Sequence, residues 1–154
     1  MTIEDEIALL ERVPTLRRLG GTALRSLAIA AEALSLETGD VLFSAGEEAD
    51  SAFVVQRGSL ALRPQGGRGE EAIAGPATLL GETALLAPTR RPATATAREP
   101  ARVLRVSRAA FLKILDSYPE AAQRLRELLA SRADQWGREM ENIRTALARG
   151  RSPR

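Results

Sequence analysis

Between residues 35 and 107 of this 154-residue chain, turn signals recur at short, fairly even spacing. They are Thr38-Gly39-Asp40, Ala45-Gly46-Glu47, Arg57-Gly58, Gly66-Gly67-Arg68, Gly75-Pro76 and Glu99-Pro100. Glycine supplies the backbone freedom of tight turns and proline fixes φ, so these clusters punctuate the chain. Between them lie short apolar stretches at 41–43 (VLF), 52–55 (AFVV), 59–63 (SLALR), 70–74 (EEAIA), 93–97 (ATATA) and 102–106 (RVLRV). The alternation predicts a small antiparallel roll or barrel. The small residues of 93–97 predict a strand packed tightly against a neighbour.

Helical patterns flank this region. In residues 1–34, Ile3, Ile7 and Leu10 fall on one face, and Thr2 is placed to cap a turn rich in acid (Glu4, Asp5, Glu6). A break at Pro14 and Gly20-Gly21 precedes a second helix expected to start at Thr22 as N-cap, with Leu24, Leu27, Ile29 and Leu34 as its apolar positions. Residues 108–150 are helical again. Ser107 caps a segment with Phe111, Ile114 and Leu115, and Pro119 opens a long helix with no glycine before Gly137. In that helix Leu129, Trp136 and Ile143 are seven apart, and Ala133, Met140 and Leu147 make a second such row. A stripe this narrow suits a two-helix seam, which predicts a homodimer through the C-terminal helix; packing back onto the same chain is the alternative. All three zones read as one domain, and a chain of this length buries roughly 70% of its unfolded surface.

Composition removes most chemistry. With no cysteine and no histidine, there are no disulfides, no thiol or imidazole catalysis, and no metal or haem held by those side chains. Nothing pairs a nucleophile with a base, so no catalytic residue, metal or cofactor is expected. Lys plus Arg number 22 against 20 acids, a net charge of +2, and the two signs are interspersed. Aromatic residues make up 3%. Neither property suits a nucleic-acid surface. No apolar run approaches the roughly 20 residues of a membrane span, and the acidic N-terminus is unlike a signal peptide. A cytoplasmic protein without DNA or membrane partners is expected.

The informative stretch runs from Gly81 to Ala97, GETALLAPTRRPATATA. It holds a glycine, an acid opening a short amphipathic turn, a loop with proline and two arginines, then a small-residue strand. A helix start leaves N–H groups that suit an anion, and an arginine returned over it can pair with a phosphate in two-pronged fashion. A carboxylate beside a phosphate needs hydroxyls to accept from. Acid and arginine in one pocket therefore suit a ligand with both a phosphate and a sugar hydroxyl.

This segment resembles the phosphate-binding cassette of the cyclic-nucleotide-binding domain family, as in cyclic-AMP receptor proteins and protein kinase regulatory subunits. That pattern runs roughly G-E-[LI]-A-L-x-x-x-x-P-R-[AS]-A-[ST]-V-x-A. Gly81, Glu82, Ala84, Leu85, Arg91, Ala93, Thr94 and Ala97 match at the same spacing. Residues 36–62, with Gly39, Gly46 and Gly58 at the turns, are similar to the family's first roll strands.

The resemblance implies a mainly β fold with flanking helices: an antiparallel β-roll of jelly-roll type with N-terminal helices and a long C-terminal helix. It implies that Glu82 accepts from a ribose 2′-hydroxyl, that Arg91 pairs with the cyclic phosphate, and that backbone N–H groups of Gly81, Thr83 and Ala84 assist. Ala93 and Thr94 complete the cassette; Thr94 has a local strand-bonding role as its alternative. Leu125, Leu128, Leu129 and Trp136 are candidates for capping the base. Two residues depart from the pattern. Arg90 stands where proline is usual and either adds charge to the site or points to solvent. Pro92 follows the arginine and has neither N–H nor hydroxyl to offer a phosphate. Relatives that bind cyclic GMP carry threonine there, so cyclic AMP is favoured. No helix-turn-helix pattern follows the long helix. The expected protein is a stand-alone sensor signalling to an unidentified effector by rearranging its C-terminal helices. The alternatives are a ligand-free interaction or dimerisation module, and a sensor for another phosphorylated or carboxylated molecule.

Overall fold

The structure, a computed structural model, describes residues 2–66 and 71–132. Helix α1 (Ile3–Glu11) begins as the sequence predicts: Thr2 accepts from the Asp5 amide, and Asp5 accepts in return from the Thr2 amide. Pro14 does more than break the chain. It opens a one-turn helix α2 (Pro14–Arg17) at a position where a missing N–H costs nothing. Helix α3 (Gly21–Ala30) is capped by Gly20 and not, as expected, by Thr22. At Gly20 the backbone takes φ 86° and ψ 161°, open in practice to glycine alone, so the turn completes before Thr22 is reached. Leu24 and Leu27 are buried, whereas Ile29 is 69% exposed and leaves the face assigned to it.

The first strand, β1 (Glu32–Leu36), begins inside the stretch read as helical. Leu34 and Leu36, two apart, pack together against the interior of the roll, a period of two that one leucine at the end of a helical pattern does not reveal. The strands that follow are β2 (Val41–Phe43), β3 (Glu48–Ala49), β4 (Ser51–Arg57), β5 (Leu60–Pro64), β6 (Ala72–Ala74), β7 (Leu79–Leu80), β8 (Thr89–Arg90), β9 (Ala93–Ala97) and β10 (Ala101–Ser107). They pair antiparallel in two sheets, β1-β10-β4-β7 and β2-β9-β5-β6, with β3-β8 as a short ribbon at one end. This is the jelly-roll architecture expected.

Alternation along β4 divides the apolar interior in two. Phe53 and Val55 face the other sheet and join Phe43, Leu60, Leu80, Ala95 and Val103 inside the roll. Ala52 and Val54 face the helices and join Leu10, Leu16, Leu24, Leu27, Leu104 and Phe111. Helix α4 (Arg108–Ser117) is capped by Ser107, which accepts from the Ala110 amide. Pro119 opens helix α5, described over 119–132. Arg124 docks it on the N-terminal helices by donating to the carbonyls of Arg18 and Leu19, both at 2.7 Å. Trp136 and the seam positions from Ala133 to Leu147 lie outside the described residues. Among those described, no helix is long and apolar enough to cross a membrane.

Candidate functional site

The segment from Gly81 to Ala97 straddles the two cores. After Leu80 enters the roll, Gly81 turns the chain with φ 82° into a 3-10 turn, Glu82–Leu85. Glycine is required there on two counts. The backbone is left-handed, and a Cβ would collide with Nη1 of Arg91 while lying 3.2 Å from the carbonyl oxygen of Ser51. Beyond the turn, Leu85 plugs into the helical core.

Arg91 lies on the roll side, 4% exposed. Its guanidinium carbon is 4.4 Å from the ring centre of Phe43 and 5.4 Å from that of Phe53, and the two ring centres are 5.9 Å apart, so the three groups form a compact triangle with Arg91 nearer to Phe43. The backbone is pinned: the Arg91 N–H donates to Glu47 O and its carbonyl accepts from the Gly46 N–H, both at 2.8 Å. The side chain is poorly satisfied. Nη2 donates to Ser51 Oγ at 3.4 Å, while Nε and Nη1 have no partner. Burial pushes its pKa below the usual arginine value, and Asp50 and Glu47 oppose that shift. Two cation–π contacts offset part of the desolvation, but they leave two buried N–H directions aimed at nothing.

Glu82 lies on the other side. Its Oε2 accepts from Thr15 Oγ1 at 3.0 Å, its Oε1 accepts from Nη1 of Arg132 in α5, and Arg132 Nη2 donates to Thr15 at 3.2 Å. The three side chains close a ring joining the 3-10 turn, α2 and α5. Acid and arginine, expected in one pocket, therefore occupy one cassette but have separate partners.

The remaining predicted residues fall as follows. Arg90 is exposed, donating to Gly46 O at 2.9 Å and lying 3.7 Å from Glu48, so it takes the solvent-facing alternative. Pro92 is exposed and contributes its carbonyl, which accepts from the Gln65 amide at 3.1 Å. Thr94 has the local role, its hydroxyl accepting from the Ala45 amide at 2.9 Å. Ala93 pairs with Pro64 in the sheet, and Thr83 is exposed. The Ala84 amide, expected to face an anion, instead donates to Gly81 O at 3.0 Å to close the 3-10 turn. Leu125, a candidate base cap, is buried in the helical core, and Leu129 packs against the same cluster. Leu128 is half-buried. Of five surface cavities of about 220–610 Å³, none is lined by Arg91; the largest opens beside Arg90, Arg108, Glu48 and Asp50.

Sequence reasoning missed Phe43, Phe53, Ser51, Thr15 and Arg132. Strand phase carried a signal for two of these: Ser51 and Phe53 share the inward parity of Val55 on one strand. Nothing local marks Thr15 or Arg132, which reach Glu82 from 67 and 50 positions away.

Known proteins share this fold. The family described as cyclic nucleotide-binding domain matches residues 33–118. Among solved structures, the N-terminal domain of a transcriptional regulator from Streptomyces coelicolor A3(2) is 30% identical, with a TM-score of 0.78 over 86% of this chain and 94% of that one. A cyclic nucleotide-binding-like protein from Brucella abortus is 36% identical, with a TM-score of 0.66 over 73% of this chain and 98% of that one. The catabolite activator protein of Thermus thermophilus is 26% identical, with a TM-score of 0.65 over 84% of this chain and 62% of that one. No curated protein sequence matches. The chain belongs to the cyclic nucleotide-binding domain family.

Proposed function

We propose that this chain is a non-enzymatic regulatory sensor whose cassette binds a cyclic nucleotide, cyclic AMP in preference to cyclic GMP. The observation that carries this reading is Arg91: a buried guanidinium with Nε and Nη1 unpartnered, held against a glycine whose missing side chain lets it come close. A cyclic phosphate takes up one of them together with Nη2, in the two-pronged contact that a guanidinium offers. The preference for cyclic AMP rests on Pro92, which has no hydroxyl for guanine. The reading needs no metal, cofactor, DNA or membrane, and it places the protein in the cytoplasm with an effector protein downstream.

Signalling follows from the Glu82 ring. A ligand hydroxyl that takes Glu82 competes with Arg132, so occupancy biases the placement of α5. The ligand shifts that equilibrium only by its difference in affinity for the two placements.

A second reading is favoured by the same ring. With Glu82 already satisfied by Thr15 and Arg132, the domain also suits a ligand-free interaction module that dimerises through its C-terminal helix. Calorimetric titration with cyclic AMP and cyclic GMP, on protein freed of co-purified ligand, separates the two. Binding at micromolar or tighter that is lost in Arg91→Ala supports the sensor. Silence from folded wild type with both nucleotides leaves the module.

A further inference from the structure

Among the described residues four polar side chains are buried, Thr15, Ser51, Ser59 and Arg91, and three of them gather on this cassette. Thr15 serves Glu82. Ser51, 2% exposed, is the one whose place the function above does not explain. It stands at the start of β4 with the same inward parity as Phe53, and its Oγ accepts from Arg91 Nη2 at 3.4 Å. Its carbonyl oxygen would lie 3.2 Å from a Cβ at position 81, so residue 51 also borders the glycine against which Arg91 Nη1 lies.

We infer that Ser51 is a second binding residue of the Arg91 site, its hydroxyl donating to the phosphate that the guanidinium holds. The inference rests on the phosphate-binding reading above. A serine hydroxyl has one proton and two acceptor positions. Arg91 uses an acceptor position, which leaves the proton to turn toward the neighbouring Asp50, whose carboxyl Ser51 helps hold below its usual range. That proton is easily redirected. Asp50 is exposed to water and keeps Arg105 at 3.4 Å, so it loses little when Ser51 turns away. A phosphate oxygen beside Arg91 Nη1 or Nε is a stronger acceptor in that dry setting than a hydrated carboxylate. Pro92 cannot donate, and the Ala84 amide is spent on Gly81 O. Ser51 thus supplies from across the roll the donor that the loop itself lacks.

The test is titration with cyclic AMP of wild type, Arg91→Ala, Ser51→Ala, Asp50→Ala and the Ser51→Ala/Asp50→Ala pair, each with its thermal unfolding recorded. Wild-type binding lost in Arg91→Ala establishes the site. Ser51→Ala, which removes one oxygen and keeps the strand, is expected to weaken binding about tenfold, the loss of one charge-assisted hydrogen bond. Asp50→Ala frees the hydroxyl and tightens binding about threefold, and most of that gain disappears in the Ser51→Ala background, as coupled neighbours require. Ser51→Cys, nearly the same size with a weaker donor, falls between, and it takes the place of Ser51→Ala should that variant fold poorly. Unchanged affinity in the folded Ser51 variant overturns the inference and leaves the site standing, as does an Asp50→Ala effect of equal size in both backgrounds. A wild type that binds nothing overturns the nucleotide reading and this inference with it.

Discussion

Glu82 and Arg132 form an ion pair across 50 positions of sequence, and that pair joins the cassette to the C-terminal helix. Thr15 completes it from the N-terminal side. The acid that sequence reasoning assigned to a ligand is already engaged by its own chain. Any hydroxyl-bearing ligand that reaches Glu82 does so at the expense of α5.

Arg132→Ala separates the two demands on Glu82. The pair is partly exposed, so its loss costs at most about 1 kcal/mol of stability. Affinity for cyclic AMP is expected to rise severalfold, because Glu82 is freed for the ribose. Thermal unfolding and calorimetric titration on the same preparation check both. A fall in affinity assigns Arg132 to the ligand instead.

Arg91 opposes stability and function. A buried guanidinium with two unpartnered N–H directions carries a desolvation cost that an apolar side chain of similar length does not. Arg91→Met keeps contact with Phe43 and Phe53 and is expected to stabilise the empty protein by about 1–3 kcal/mol. For a chain of this size that is a rise of roughly 2–4 °C in Tm per kcal/mol. Phosphate binding is abolished in the same variant. A lower Tm shows that the cation–π contacts outweigh the desolvation.

Arg108 is the clamp behind the cassette. From the first turn of α4 its Nε donates to Ala84 O at 2.8 Å and its Nη2 to Ala49 O at 2.6 Å, tying the 3-10 turn to β3. Arg108→Ala leaves both carbonyls without that donor and is expected to cost about 2–4 kcal/mol. Urea unfolding measures the loss. Arg108→Lys, lacking the planar fork, recovers less than half of it.

Ala77 holds a left-handed backbone, φ 68°, between Gly75-Pro76 and β7. It is kept there by its N–H donating to Val55 O at 2.7 Å. Glycine takes this conformation without the Cβ penalty, so Ala77→Gly is expected to stabilise by about 0.5–1 kcal/mol despite its looser unfolded state. The same unfolding assay reads it, and a loss of stability shows that the alanine methyl packs more than it strains.

What the sequence revealed divides by range. The six apolar stretches from 41 to 106 all became strands, because turn residues and alternation are local signals. The caps at Thr2 and Ser107 were legible for the same reason. The two-residue strands β3, β7 and β8 were not, since pairing that short is imposed by neighbours and not by propensity. Of the cassette, its position along the chain was read from a glycine–arginine spacing, but the burial of Arg91 was not, because it depends on Phe43 and Phe53 arriving from two different strands. The partners of Glu82 were not either, because three helical or turn segments distant in sequence had to be docked first. Leu125 shows the same limit: its helix was foreseen, but which core it faces was not.

Phe43 belongs to the sheet of β2 and Phe53 to the sheet of β4, and Arg91 rests on both rings. The guanidinium is therefore a rivet between the two halves of the roll. None of the five surface cavities described above reaches Arg91, so under the proposed reading a phosphate docks there only when the halves part. Arrival is then expected to be timed by that opening and not by diffusion, with an observed association rate that levels off as ligand concentration rises, which stopped-flow mixing measures.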